Sequence, residues 1–213
     1  MLQVKQLRLH KSGQALLEPL DFQVKAGEVL TLMGRSGLGK STVLNWLVGA
    51  LPDTFSAHGE LWLGERRLDH LPTEQRRIGI LFQDDLLFPH LSVGGNLAFA
   101  LPATISGRAA RRAHLETVLA QAGLAGFYGR DPATLSGGQR ARVSVLRALL
   151  AEPHALLLDE PFSRLDAELR SQFRAFVFAE IAQRHIPTLL VTHDAADIPT
   201  GGAVLELQGA PHV

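Results

Sequence analysis

The sequence predicts an α/β domain with a helical insertion, and three observations carry that reading. The apolar run Val29 to Met33 leads into a glycine-rich segment, Gly34 to Gly39, and then into a helical stretch from Lys40 to Gly49. Two more apolar runs, Ala155–Leu158 and Thr188–Val191, alternate with helical patterns and end on polar tips, Asp159-Glu160 and Thr192-His193. Continuous apolar strands of this kind are covered on both faces, as in parallel sheets. Between about Asp84 and Gly123 strand patterns vanish and helical ones replace them.

The elements follow in order. Residues 1–11 alternate apolar and polar side chains, and Leu20, Phe22 and Val24 do the same, the mark of half-buried strands. Ala26-Gly27 turns the chain into Val29–Met33. Gly49 and Pro52 end the helix that opens at Lys40. Strands are expected at Glu60–Leu63 and Ile78–Phe82. In the insertion, Arg108 to Ala122 places Leu115, Val118, Leu119 and Ala122 on one helical face, and Gly123 supplies a stop. Ser136 stands as a helix N-cap, with Gln139 completing a capping box. That helix passes Val143, Leu146 and Leu150 and stops before Pro153. A helix over about Ala167 to Arg184 and a strand near Val204–Leu207 complete the pattern.

Composition bounds the function. The chain has 213 residues, enough for one domain with a small insertion. Hydrophobic residues make up 46% and charged residues 20%, which excludes a disordered chain. Twenty-one basic and 21 acidic residues cancel, so no nucleic-acid partner is expected. There is no cysteine, which removes thiol nucleophiles and cysteine-ligated metals. No stretch approaches the ~20 apolar residues that span a bilayer, and the N-terminus lacks the apolar core of a signal peptide. The chain is therefore expected not to be secreted by that route and not to cross a membrane itself.

The chemistry concentrates at the strand tips. Gly34-Arg35-Ser36-Gly37-Leu38-Gly39-Lys40-Ser41 fits GxxxxGK[ST], with a buried strand before it and a helix, beginning Ser41-Thr42, after it. Glycines let backbone N–H groups converge on phosphate oxygens, and the helix N-terminus adds positive potential. Lys40 would reach the outer phosphates and Ser41 would hold Mg²⁺. The strand ending at Asp159 delivers a carboxylate that can hold Mg²⁺ through water, and Glu160 is placed to accept a proton from an attacking water. Gln83 and His193 also end apolar strands, where Gln83 could sense metal and water and His193 the γ-phosphate; a loop glutamine or histidine satisfied by its surroundings is the ordinary alternative. Leu135-Ser136-Gly137-Gly138-Gln139 makes a second glycine-bearing helix N-terminus, either a simple capped start or a second anion site.

Together these residues resemble the ATP-binding cassette (ABC) ATPases, with similarity over essentially the whole chain. The correspondence takes in the phosphate loop at Gly34–Ser41, the Q-loop at Gln83, the LSGGQ segment at Leu135–Gln139 and Asp159 with the following Glu160. It continues through the D-loop Ser163-Arg164-Leu165-Asp166 and the H-loop at His193. Phe88-Pro89-His90-Leu91-Ser92-Val93 resembles the bacterial importer group that includes thiamine, polyamine, iron and sulfate systems.

The resemblance implies a P-loop NTPase fold with an N-terminal antiparallel β-subdomain and a helical subdomain. The core would cover about 1–83 and 152–213, and the helical part about 84–151. It further implies ATP and Mg²⁺ as ligands, with Ser41, Gln83 and Asp159 at the metal. Catalysis would fall to Glu160, Gln83 and His193. Gly34 through Thr42 of one copy would hold ATP against Ser136, Gly137, Gly138, Gln139 and Asp166 of a second. Transmembrane permease subunits, and through them a periplasmic or extracellular substrate-binding protein, would be the partners, at the cytoplasmic face of the cell membrane. Two departures stand out. Lys11, beside His10, occupies the position where the family carries an aromatic residue that stacks on adenine. Arg164 replaces the usual small residue of the D-loop.

Other readings remain at this level. The same cassette serves lipoprotein release, export and cell-division signalling. Soluble cassette proteins of repair or translation usually carry two cassettes or long coiled coils in one chain. A P-loop kinase would leave the LSGGQ segment without a use.

Overall fold

The computed structural model describes residues 1–210. The chain divides into two compact units. The first holds Met1–Ile80, His154–Asp159 and the chain from Ile181 onward; the second holds Leu81–Pro153 and Glu160–Glu180.

The first unit contains two sheets. The antiparallel sheet comprises β1 (Leu2–Lys11), β2 (Gln14–Ala15), β3 (Leu20–Val24), β5 (Phe55–Leu63) and β6 (Arg66–Arg67), with β1 hydrogen-bonded to β2, β3 and β5. Register pairs Leu2 with Val24 and Leu63, and Val4 with Phe22 and Leu61. A bulge around Gln6, whose φ is 48°, shifts the alternation, so that Leu2 and Val4 before it and Leu7 and Leu9 after it are all buried. The second sheet is ordered β10-β4-β9-β8-β7, from β4 (Val29–Met33), β7 (Ile78–Leu81), β8 (Ala155–Asp159), β9 (Thr188–Val191) and β10 (Ala203–Glu206). β4 runs parallel to β9 and β10, and β9 parallel to β8. All residues of β8 and β9 are buried, as the apolar runs Ala155–Leu158 and Leu189–Val191 demand.

Helix α1 (Lys40–Val48) follows β4 and buries Val43, Leu44, Leu47 and Val48 in the core. It ends at Gly49 in the left-handed conformation (φ 80°). The short helix α2 (Thr73–Arg76) delivers Arg76 to that end. Its guanidinium donates to the carbonyls of Trp46 (2.7 Å) and Leu47 (3.0 Å), and also to Leu71 and Asp69. Burial pushes the Arg76 pKa down, and the carbonyl cage replaces the water it loses.

The second unit is helical: α3 (Val93–Ala100), α4 (Arg108–Gln121), α5 (Gly137–Leu150) and α6, which begins at Ala167 and runs to Gln183. The apolar face expected for α4 is buried at Leu115, Val118 and Leu119. Ser136 caps α5 with the full capping box expected from the sequence. Arginines tie helix ends here too: half-buried Arg111 holds carbonyls at the end of α3, and buried Arg142 holds Ala122 and Gly123 at the end of α4.

The structure extends the sequence expectations in two places. β5 begins at Phe55 rather than near Glu60, because pairing with β1 continues through Ala57 and His58, where β5 lacks an apolar alternation. Helix α3 replaces what the pattern left unassigned. Its Gly94-Gly95 start disfavours a helix, but Gly94 is required there: a Cβ would lie 2.5 Å from the Tyr128 ring. Asn96, fully buried, bonds the Phe88 amide and the carbonyls of Phe88, Leu91 and Ser92, which fastens the preceding loop to α3.

Candidate functional site

In the first unit, the tip of β4 opens into the Gly34–Gly39 loop and α1. Three loop glycines have positive φ: Gly34 at 151°, Gly37 at 82° and Gly39 at 91°. Gly39 has a second reason to be glycine, since a Cβ would meet the Leu16 side chain at 2.7 Å. Having no side chain, Gly39 leaves the first amides of α1 without a side-chain cap, the arrangement that suits an external anion. Lys40 folds over the loop, its Nζ donating to the carbonyls of Gly34 (2.7 Å) and Arg35 (3.1 Å). The ammonium is thus held above the cradle of amides.

Ser41 opens toward β8. Its Oγ donates to Asp159 Oδ2 at 3.2 Å, joining residues 118 positions apart in sequence. A hydroxyl and a carboxylate side by side at a strand tip form a hard-oxygen donor set, which fits Mg²⁺. His193 follows β9 and lines a cleft of about 610 Å³ with Gly34, Arg35, Leu38 and the segment around Leu207. The turn that carries His193 is braced by Thr192, whose Oγ1 donates to buried Asp197 at 2.8 Å and accepts from the Asp194 amide. The first unit therefore brings together the phosphate loop, Lys40, Ser41, Thr42, Asp159 and His193.

The second unit holds the other predicted residues. Gln83 lies in the exposed segment after β7. Glu160 follows Asp159 with φ 49°, an uncommon conformation for a non-glycine residue, and its carbonyl accepts from Ser163 Oγ at 2.9 Å. Asp166 caps α6 by accepting from the Leu169 amide at 3.0 Å. Gly137 and Gly138 open α5. Only Gly138 is sterically obliged: a Cβ there would lie 3.0 Å from the Arg164 carbonyl, whereas at Gly137 the nearest atom is 3.8 Å away.

Sequence reasoning missed the charged cluster around Asp85. Arg140 Nε and Arg164 Nη1 both donate to Asp85 Oδ2, at 3.0 and 2.9 Å. No local pattern signals contacts across 55 and 79 positions; the only hint was an arginine at a D-loop position where the resemblance expects a small residue.

The fold and these strand-tip loops define a mixed α/β ATPase cassette, and comparison with known proteins places it. The family model described as ABC transporter matches residues 17–163. The chain belongs to that family, as one of its ATP-hydrolysing cassettes. It is 56% identical over 207 residues to the uncharacterized ABC transporter ATP-binding protein YnjD of Escherichia coli K12, covering 97% of this chain and 95% of that one. It is 43% identical to a sulfate/thiosulfate import ATP-binding protein, CysA, of Gloeobacter violaceus, covering 81% of this chain but only 49% of that longer protein. Among solved structures, a dimeric post-hydrolysis state of the ATP-binding cassette MJ0796 bound to ADP and Pi superposes with a TM-score of 0.82 at 28% identity, over 98% of this chain and 94% of that one.

Proposed function

We propose that this chain is the ATP-binding and hydrolysing subunit of a bacterial importer, working as a head-to-tail dimer that drives separate membrane subunits. The observation that carries the chemistry is the juxtaposition of Lys40 over its amide cradle with the Ser41–Asp159 pair. Backbone amides of Gly37–Ser41 and the Lys40 ammonium hold the phosphates of ATP. Ser41, Asp159 and Gln83 would hold Mg²⁺, which would neutralise charge on the phosphate oxygens. Glu160 accepts a proton as water forms its bond to the γ-phosphorus, and the bond to the ADP oxygen breaks. His193 orients the γ-phosphate. Ser136, Gly137, Gly138, Gln139 and Asp166 of a second copy close over the same ATP, a reading supported by the dimeric cassette with 28% identity.

Closure on ATP and reopening after hydrolysis would move membrane subunits between two states by differential binding. No helix among the described residues is long and apolar enough to cross a membrane; in this reading the membrane subunits are separate chains, and this one docks on them at the cytoplasmic face. Their docking surface is the Leu86–Val93 segment. Leu86 is 58% exposed and Phe99 74%, and the Phe99 ring packs against Phe88 at 5.2 Å. Exposed apolar side chains on a segment anchored by Asn96 suit a partner helix. The import assignment draws on the relatives named as sulfate/thiosulfate and Fe(3+) import ATP-binding proteins; a substrate-binding protein would reach the assembly through the permease.

The chain has no cysteine, so Leu86→Cys creates a single attachment point for a crosslinker. With ATP and native membranes, the expected product joins this chain to an integral membrane protein that also binds a periplasmic or extracellular substrate-binding protein. A membrane partner without such a protein would assign the chain to export or lipoprotein release. Crosslinking only to soluble proteins would overturn the membrane role.

A further inference from the structure

We propose that Asp85 and Arg164 are positioning residues that clasp the segment after Gln83 to the turn between Glu160 and Asp166, so that both move as one piece with the start of α5. The inference rests on the functional reading above for the roles of Gln83, Glu160 and Asp166, and adds a coupling device to it.

One carboxylate oxygen does the joining. Asp85 Oδ2 accepts from Arg140 Nε at 3.0 Å and from Arg164 Nη1 at 2.9 Å, while Arg164 Nη2 reaches Asp84 at 3.5 Å. Each arginine belongs to a different segment. Arg140 directly follows Ser136–Gln139 and also donates to the Leu135 carbonyl at 2.6 Å. Arg164 lies between Glu160 and Asp166, two residues before the latter. Asp85 stands two residues after Gln83 and one before Leu86.

Isolated exposed ion pairs contribute little, but this one differs in two ways. The Asp85 side chain is only 12% exposed, and it serves two guanidinium groups at once. The backbone beside it is fixed as well: Ser144 Oγ donates to the Asp85 carbonyl at 2.6 Å and Arg147 to the Leu86 carbonyl at 2.9 Å. Leu86 is held at φ 43°, a conformation that persists only where its surroundings enforce it. On the other side, the Arg164 backbone lies against α5 so closely that a Cβ at position 138 would come within 3.0 Å of the Arg164 carbonyl. A displacement at Leu86, where a membrane partner would press, is therefore transmitted through Asp85 and Arg164 to the turn that carries Asp166. A small residue at position 164 could not make this link.

The test uses the full chain with Arg164→Gln, Asp85→Asn and the double variant. Hydrogen exchange of residues 81–93 is expected to quicken about tenfold in Arg164→Gln, although the change lies far away in sequence. The turnover rate at saturating ATP is expected to fall about tenfold, with nucleotide affinity unchanged within about twofold. The double variant is expected to be no worse than Asp85→Asn alone, because that change already removes the link to Arg164. Arg164→Lys, which keeps a charge but not the fork, is expected to recover part of the rate and of the protection. Unchanged exchange in residues 81–93, or rate losses that multiply in the double variant, would overturn the clasp. The exchange measurement stands apart from the functional reading: if the wild type failed to hydrolyse ATP, that reading would fall while exchange still decided the clasp.

Discussion

At the residue scale, Glu160 carries the most consequential assignment. It is held at positive φ beside Asp159, with its carbonyl tied by Ser163. Glu160→Gln keeps that shape and removes the proton acceptor. ATP binding should persist while hydrolysis falls ~10²–10⁴-fold, read by nucleotide titration and phosphate release. Normal turnover would remove Glu160 from the base role. Lys11 makes a different prediction. Its ammonium lies 5.8 Å over the Phe55 ring on the neighbouring strand, so it is not itself a stacking surface for a base. Phosphates should then carry most of the affinity, with ATP and GTP bound within about tenfold, ~1.4 kcal/mol. Lys11→Tyr should tighten ATP binding by ~1–3 kcal/mol, the usual yield of base stacking. A strong ATP preference in the wild type, unaltered by the substitution, would place the base elsewhere. The phosphate-loop, LSGGQ and strand-tip residues were legible in the sequence because their chemistry is local: glycine conformation, a helix start, a carboxylate after an apolar run. Asp85, Arg140 and Arg164 were not, since their meeting depends on the folded helices.

At the element scale, single side chains hold helix ends. Arg76 donates to four carbonyls, two of them at the end of α1, the helix whose other end is the phosphate loop. Arg76→Ala should cost about 3 kcal/mol in urea unfolding, because charged hydrogen bonds are lost and buried carbonyls are left unpaired. A loss below about 0.5 kcal/mol would mean that water replaces the guanidinium. Such a residue is silent in a sequence, where Arg76 reads as one more surface charge. Helix α4 was legible from its apolar stripe, and α5 from its capping box. Helix α3 was hidden by Gly94-Gly95, whose need arises from the Tyr128 ring, and the start of β5 by a segment paired through its backbone rather than through apolar alternation.

At the scale of the whole molecule, the central claim is that two copies share each ATP. Gly137 provides the tool. A Cβ at this position meets nothing closer than 3.8 Å, and an acidic residue at a helix start is stabilising by ~0.3–1 kcal/mol, so Gly137→Asp should fold normally while repelling phosphate. Gly138→Asp would serve less well, because its side chain collides with Arg164 and Leu165 of its own chain whatever the assembly. Lys40→Ala disables the phosphate loop in the same manner without touching α5. Each variant alone should hydrolyse almost no ATP. Mixed in equal amounts, they should form hybrid pairs in which one site carries both lesions and the other carries neither. The most direct measurement is the ATP hydrolysis rate of that mixture. Recovery toward about a quarter of the wild-type rate is expected, from half the pairs being hybrids with one intact site of two. A mixture no more active than its two components would contradict the shared site.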